Sequence, residues 1–283
     1  MKVLSLFSGI GAFEKALDNL GIKYDLVAFC EIDKYAAMSY QAIHGVSESL
    51  NLGDITKVEA DKLPKDIDLL TYGFPCQDIS NCGKMKGLFN EDGSKTRSGL
   101  FFEALRIIEA TKPKVAIAEN VKMLTSKKFA TEFQIVLESL EQAGYNNYFK
   151  VLNAKDHGIP QNRERVFIVS IRKDVDNGLF AFPDSVPLKM RLKDVLEESV
   201  DEKYYLSDAL IKVGQIYLNS GNRKPIVLVR EATKSGHTEA FEGDSINLEH
   251  PNSKTRRGRV GRQVAQTLTT SCNQAVVVKK HEN

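Results

Sequence analysis

From residue 3 to residue 171, short apolar runs alternate with stretches of helical periodicity, and that alternation narrows the folds open to this chain. Strands are expected at 3–7, 25–31, 68–72, 114–119, 148–152 and 166–171. Between them, Gly9-Ile10-Gly11 opens a helix with Phe13, Ala16, Leu17 and Leu20 at helical spacing. Further helices are expected at 35–43, 100–110 and 129–143. Strand–helix alternation of this kind predicts an α/β fold with a mostly parallel sheet covered by helices on both faces. Such sheets carry their chemistry at the C-terminal ends of the strands.

Around Pro183 and Pro187 the pattern changes. A helix is expected over 207–218 and a strand over 226–229, and beyond Gly221 the chain is rich in Gly, Ser, Asn and Arg. Two domains follow from this shift: 1–183, and a smaller, irregular 184–283. No apolar run is long enough to cross a bilayer. The N-terminus enters a strand without the charged and apolar regions of a secretory signal, so an intracellular protein is expected. The four cysteines, Cys30, Cys76, Cys82 and Cys272, form no CxxC pair, so neither a zinc cluster nor any other metal site is expected. Net charge is only +2 and demands no anionic partner. Lys254, Arg256, Arg257, Arg259 and Arg262, however, share a stretch free of acidic residues. That stretch is either a solvated loop or a contact to a phosphate backbone.

The candidate site residues stand where the expected strands end. Cys76, in Gly73-Phe74-Pro75-Cys76-Gln77, follows the strand at 68–72, with Pro75 stiffening the turn. Glu31 ends the second strand, where a carboxylate commonly holds ribose hydroxyls. Asp54, in Gly53-Asp54-Ile55-Thr56, is either a cap or an acceptor for an amino group. Glu119 ends another apolar strand, as a catalytic carboxyl or as an ion-pair partner. Arg163 and Arg165 enter the last strand and suit a carboxylate, a phosphate or a base carbonyl.

Taken in order, these strings resemble the DNA (cytosine-5)-methyltransferases of the bacterial or phage type. The matching segments are Phe7-Ser8-Gly9-Ile10-Gly11, Glu31, Gly53-Asp54-Ile55-Thr56, Gly73-Phe74-Pro75-Cys76-Gln77, Glu119-Asn120-Val121 and Gln161-Asn162-Arg163-Glu164-Arg165. Arg262-Gln263-Val264-Ala265-Gln266-Thr267-Leu268-Thr269 resembles the segment that follows the family's target-recognition region. The resemblance implies a Rossmann-like domain over 1–183 and a target-recognition region with its return segment over 184–283. It also implies S-adenosylmethionine as methyl donor and a cytosine flipped from double-stranded DNA as substrate.

Under this resemblance Cys76 would be the nucleophile that adds to carbon 6 of the base. Glu119 would hold or protonate ring nitrogen 3. Arg165 would bind the base carbonyl, and Arg163 would support Glu119 or a phosphate. Phe7, Gly9, Gly11, Glu31, Asp54, Ile55, Pro75 and Leu100 would line the donor pocket. Gln77, Ser80, Lys254, Arg256, Arg257 and Arg259 would contact DNA, and the loop from Gln77 to Thr96 would act as a lid. A role in restriction-modification or phage self-protection, in the bacterial cytoplasm, follows from the resemblance. The strings that close the family's C-terminus are absent here, which leaves three explanations open: a truncated gene, a shortened chain, or a second subunit or fragment that supplies them. Two alternatives stay open: a partner-dependent or inactive DNA-binding half-enzyme, and a transfer-RNA cytosine methyltransferase.

Overall fold

A computed structural model of the chain describes residues 1–76, 87–90, 92–219, 226–269 and 273–278. It divides into two compact units: Met1–Leu152 with Arg165–Phe182, and Asn153–Glu164 with Pro183–Asn283. Residues 153–164 thus group with the chain from Pro183 onward, while 165–182 group with the N-terminal part.

In the first unit the order is β1 (Lys2–Leu6), α1 (Ala12–Asn19), β2 (Asp25–Cys30), α2 (Lys34–His44), β3 (Leu69–Tyr72), α3 (Phe101–Thr111), β4 (Val115–Val121), α4 (Ala130–Gln142), β5 (Tyr145–Asn153) and β6 (Glu164–Arg172). Its six-stranded sheet has the order β2-β1-β3-β4-β6-β5. The pairs β1–β2, β1–β3 and β3–β4 are parallel, and β6 runs antiparallel to β4. The fold is thus α/β with a mostly parallel central sheet. Both faces are covered. Ala28 and Cys30 of β2 join the main core with α3 and α4, while Phe29 between them packs with Ala37 and Tyr40 of α2. Successive strand residues point to opposite faces, so one strand serves both layers.

The second unit adds α5 (Asp208–Val213), β7 (Ile216–Asn219), β8 (Ile226–Arg230), β9 (His237–Ala240), β10 (Ser245–Asn247), β11 (Val260–Gly261) and β12 (Gln274–Val276). These strands form two three-stranded sheets, β7-β8-β9 and β11-β10-β12. The helix expected over 207–218 stops at Val213. Gly214 caps it, Gln215 takes φ 53°, and Ile216–Asn219 pairs antiparallel with β8. A positive φ at a non-glycine residue ends the helix, and the apolar Ile216 enters the small core instead.

Arg259 joins the parts of this unit. It is fully buried. Its Nε donates to the Asn247 carbonyl at 2.9 Å, Nη1 to that of Arg230 at 2.8 Å and Nη2 to that of Gly214 at 2.8 Å. The buried Glu231 accepts from the backbone N–H groups of Gly258, Arg259 and Val260. The sequence placed Arg259 among DNA contacts. The structure corrects this, because its guanidinium is committed to three interior carbonyls. Replacing Arg259 with Met keeps much of the bulk but removes every donor. It should destabilise this unit by about 3 kcal/mol. Urea unfolding measures the loss, and a change below about 1 kcal/mol would contradict the assignment.

Candidate active site

Strand register sets the site. Leu6 pairs with Cys30 on one side and Tyr72 on the other, and Tyr72 pairs with Ala118. The residues that follow, Phe7, Glu31, Gly73 and Glu119, therefore stand at one level, where β1, β2 and β3 end while β4 runs on to Val121, still paired with β6. Antiparallel pairing of Val121 with Arg165 brings Arg165 to the same end. The sequence singled out four of these five; Gly73 was quoted only as part of its motif.

Cys76 lies three residues past Gly73, on a turn held from two directions. Phe74 is buried, with its ring centroid 6.3 Å from Tyr72 and 5.5 Å from Phe101. Asn120, also buried, donates from Nδ2 to the Phe74 carbonyl at 3.1 Å and accepts from the Val121 N–H at 2.8 Å. Asn120 thereby ties the turn that carries Cys76 to the end of β4, a role its place in the Glu-Asn-Val string did not reveal. Beside it, Arg165 Nε meets Glu119 Oε1 at 2.9 Å, and both side chains are partly exposed. The other carboxylate oxygen, Oε2, lies 3.9 Å from where a Cβ at Gly73 would stand. A thiol-bearing turn, a carboxyl group and a guanidinium thus share one end of the sheet. Charge-assisted pairing fixes the carboxyl orientation more firmly than a neutral hydrogen bond does.

The first βα turn and its neighbours form the candidate donor pocket. Phe7, Gly9 and Gly11 all have positive φ, at 51°, 55° and 83°. Phe7 is the residue under strain there, since only glycine adopts that region freely. Glu31 braces the turn: Oε2 accepts from the Gly9 N–H and Oε1 from that of Asp33, each at 2.8 Å. A carboxylate has about four acceptor positions, so capacity for ribose hydroxyls remains. Asn51, which the sequence gave no role, accepts from the N–H groups of Glu31 and Gly53 and donates to the Glu31 carbonyl. Its signal was only a turn-forming Asn two residues before Gly53.

Asp54 caps a short turn, accepting at Oδ1 from the Thr56 N–H at 3.0 Å and hydroxyl at 2.8 Å. These bonds hold its carboxyl below the usual carboxylate range. Ile55 has its side chain in the core, and its carbonyl accepts from Arg106 Nη2. Any contact it makes with a cofactor is therefore through backbone. Leu100 is partly buried against the same core, and Pro75 is partly exposed. Beyond the neighbouring residues in the chain, no heavy atom lies within 4 Å of a Cβ built at Gly9 or at Gly53, so there is open space beside each. The residues present fit an adenosine-bearing ligand.

The lid expected over 77–96 falls partly outside the described residues, as do Gln77 and Ser80. Its described end is pinned: Leu88 is fully buried, and Thr96 Oγ1 donates to the Gly87 carbonyl at 2.7 Å.

In the second unit, Asn153 Oδ1 accepts from the Arg163 N–H at 3.0 Å. Asn162 N–H donates to the Ala265 carbonyl at 2.7 Å, so two of the quoted strings are hydrogen-bonded neighbours. Of the basic run, Lys254 and Arg257 are exposed and Arg256 is partly so. Arg256 Nη2 lies 3.6 Å from Glu249 Oε2, and Arg257 Nε donates to the Ala232 carbonyl at 2.7 Å.

The family model described as C-5 cytosine-specific DNA methylase matches residues 1–282. An orphan methyltransferase, M.SPRI of Bacillus phage SPR, is 35% identical over 301 aligned positions, covering 96% of this chain and 64% of that protein. The type II methyltransferase M.NlaX of Neisseria lactamica is 42% identical, covering 74% of this chain and 64% of its own. Among solved structures, the S. pombe Dnmt2 methyltransferase superposes with a TM-score of 0.57 at 25% identity, covering 75% of this chain and 66% of that one. A mutant of Spodoptera frugiperda DNMT2 superposes at 0.60 with 17% identity, covering 92% and 73%, and speaks for the fold alone. The chain belongs to the C-5 cytosine-specific DNA methylase family. It spans less than two thirds of the length of either the phage or the Neisseria relative.

The two described cysteines differ sharply. Cys30 is buried, and its thiol donates to the Gly53 carbonyl at 3.0 Å. Burial first, then the nearby Glu31 and Asp54 carboxylates, push it up to about 12. Cys76 is partly exposed. Iodoacetamide at a pH of about 9 should therefore alkylate Cys76 and spare Cys30, as read by peptide mass spectrometry. Equal labelling of the two would contradict the assignment.

Proposed function

We propose that this chain transfers a methyl group from S-adenosylmethionine to carbon 5 of a cytosine swung out of double-stranded DNA. The donor supplies an electrophilic methyl on a sulfonium and departs as a neutral thioether. Cys76 adds as thiolate to carbon 6, which places electron density on carbon 5 and makes that carbon nucleophilic. Glu119 faces ring nitrogen 3 and shares a proton with it as the sulfur adds. Arg165 orients Glu119 through the ion pair and binds the base carbonyl with its guanidinium. Once carbon 5 carries the methyl, a water removes the proton from that carbon. The electron pair re-forms the double bond, and the Cys76–carbon 6 bond breaks. Arg163 lies in the second unit and is assigned to a phosphate.

Glu31 takes the ribose hydroxyls, the Gly9–Gly11 turn lies against the donor, and Asp54 with the Ile55 backbone faces the adenine. Phe7 offers an aromatic face to the sulfonium. Lys254, Arg256 and Arg257 contact the phosphate backbone, and the second unit reads the target. The setting is the bacterial cytoplasm, with the chain encoded by the cell or by a phage, within restriction-modification or phage self-protection. The observation that best supports this reading is the Glu119–Arg165 ion pair at 2.9 Å beside the turn that carries Cys76.

Tritiated methyl transfer to duplex DNA tests it. The chain should label DNA, and Cys76→Ser should abolish labelling while leaving DNA binding in place. Methyl transfer by Cys76→Ser would remove the nucleophile assignment. In the partner-dependent form of the reading, donor and DNA bind to the chain alone and turnover appears only with a second polypeptide. Labelling of transfer RNA in preference to duplex DNA would select the other substrate.

Replacing Arg256 and Arg257 together with Gln should flatten the salt dependence of DNA binding by about one unit of slope per lost phosphate contact. An unchanged slope would return these residues to the solvated surface.

A further inference from the structure

His44 is the last residue of α2, yet its side chain is only 2% exposed. Its Nε2 lies 3.1 Å from the carbonyl of Ile10, the middle residue of the Gly9-Ile10-Gly11 turn. A carbonyl only accepts, so Nε2 carries the proton of this bond. Gly11 makes the approach possible: a Cβ there would stand 2.0 Å from His44 Nε2 and 2.9 Å from Tyr40 Cε2. The imidazole centroid is 4.6 Å from the Tyr40 ring, which in turn stacks on Phe29 of β2 at 4.1 Å. Through Tyr40 the ring is linked to the strand that leads to Glu31, and it reaches across to the turn whose Gly9 N–H donates to the Glu31 carboxylate. The turn is thus held twice, by Glu31 at Gly9 and by His44 at Ile10.

We propose that His44 is a positioning residue for the methyl donor. It fixes the glycine turn and the ribose-binding carboxylate in one geometry before the donor arrives. The inference rests on the cofactor reading above and deepens it. Donor affinity then depends on the N–H at this position, beyond the bulk that fills the space. A packing role would require only the bulk.

Equilibrium dialysis of S-adenosylmethionine against the full chain tests this with wild type, His44→Gln and His44→Met. Gln and Met have similar length, but only Gln offers an N–H to the Ile10 carbonyl. His44→Gln should bind within about threefold of wild type, and His44→Met about tenfold more weakly or worse. His44→Leu, a second donorless variant, guards against a folding defect peculiar to Met and should show the same loss. Circular dichroism establishes that the compared variants are folded. Donorless variants that bind like wild type overturn the proposal, as does His44→Gln binding as weakly as they do. A wild-type chain that binds no donor would overturn the cofactor reading itself, and this inference with it.

Discussion

The register of four strands is the constraint on which the site depends. Leu6, Cys30, Tyr72 and Ala118 form one row across the sheet. Because β1, β2, β3 and β4 run in the same direction, the residues after this row fall at the same level, β1 to β3 ending there and β4 continuing to Val121. Phe7, Glu31, Gly73 and Glu119 therefore cluster without having to reach toward one another. A slip of one residue in any pair would turn its side chains to the opposite face. The buried runs Val3–Leu6 and Leu69–Tyr72 resist such a slip, since core packing fixes their position.

Local hydrogen bonds then make the emerging turns definite. Glu31 closes on Gly9, Asn51 binds the backbone of Glu31 and Gly53, and Asn120 binds that of Phe74. Each brace satisfies backbone groups at the point where strand pairing ends. The second unit uses the same device on a larger scale, with Arg259 and Glu231 serving three carbonyls and three N–H groups. Its sheets have three strands each and a small apolar core, so polar bonding carries much of its organisation.

Much of the first unit was legible in sequence because strands such as β1 and β3 are buried almost throughout and read as mostly apolar runs. Cys76, Glu31, Glu119 and Arg165 were legible because they sit at the ends of those runs. The second unit was harder to read. Arg259 looked like a surface charge among surface charges, since composition does not record which guanidinium finds three carbonyls. Periodicity carried the helix that ends at Val213 onward through Leu218, since a positive φ at Gln215 leaves no mark in apolar spacing. Asn51, Asn120 and His44 were passed over because their partners are backbone groups brought near only by folding.

The central claim is a covalent bond between Cys76 and carbon 6 of an extruded cytosine. It is tested most directly with duplex DNA carrying 5-fluorocytosine at the methylated position, where fluorine blocks release of the adduct. After incubation with S-adenosylmethionine and digestion, mass spectrometry should find the modified base on the peptide containing Cys76. An adduct on Cys82 or Cys272, or methyl transfer with no protein adduct, would contradict the account.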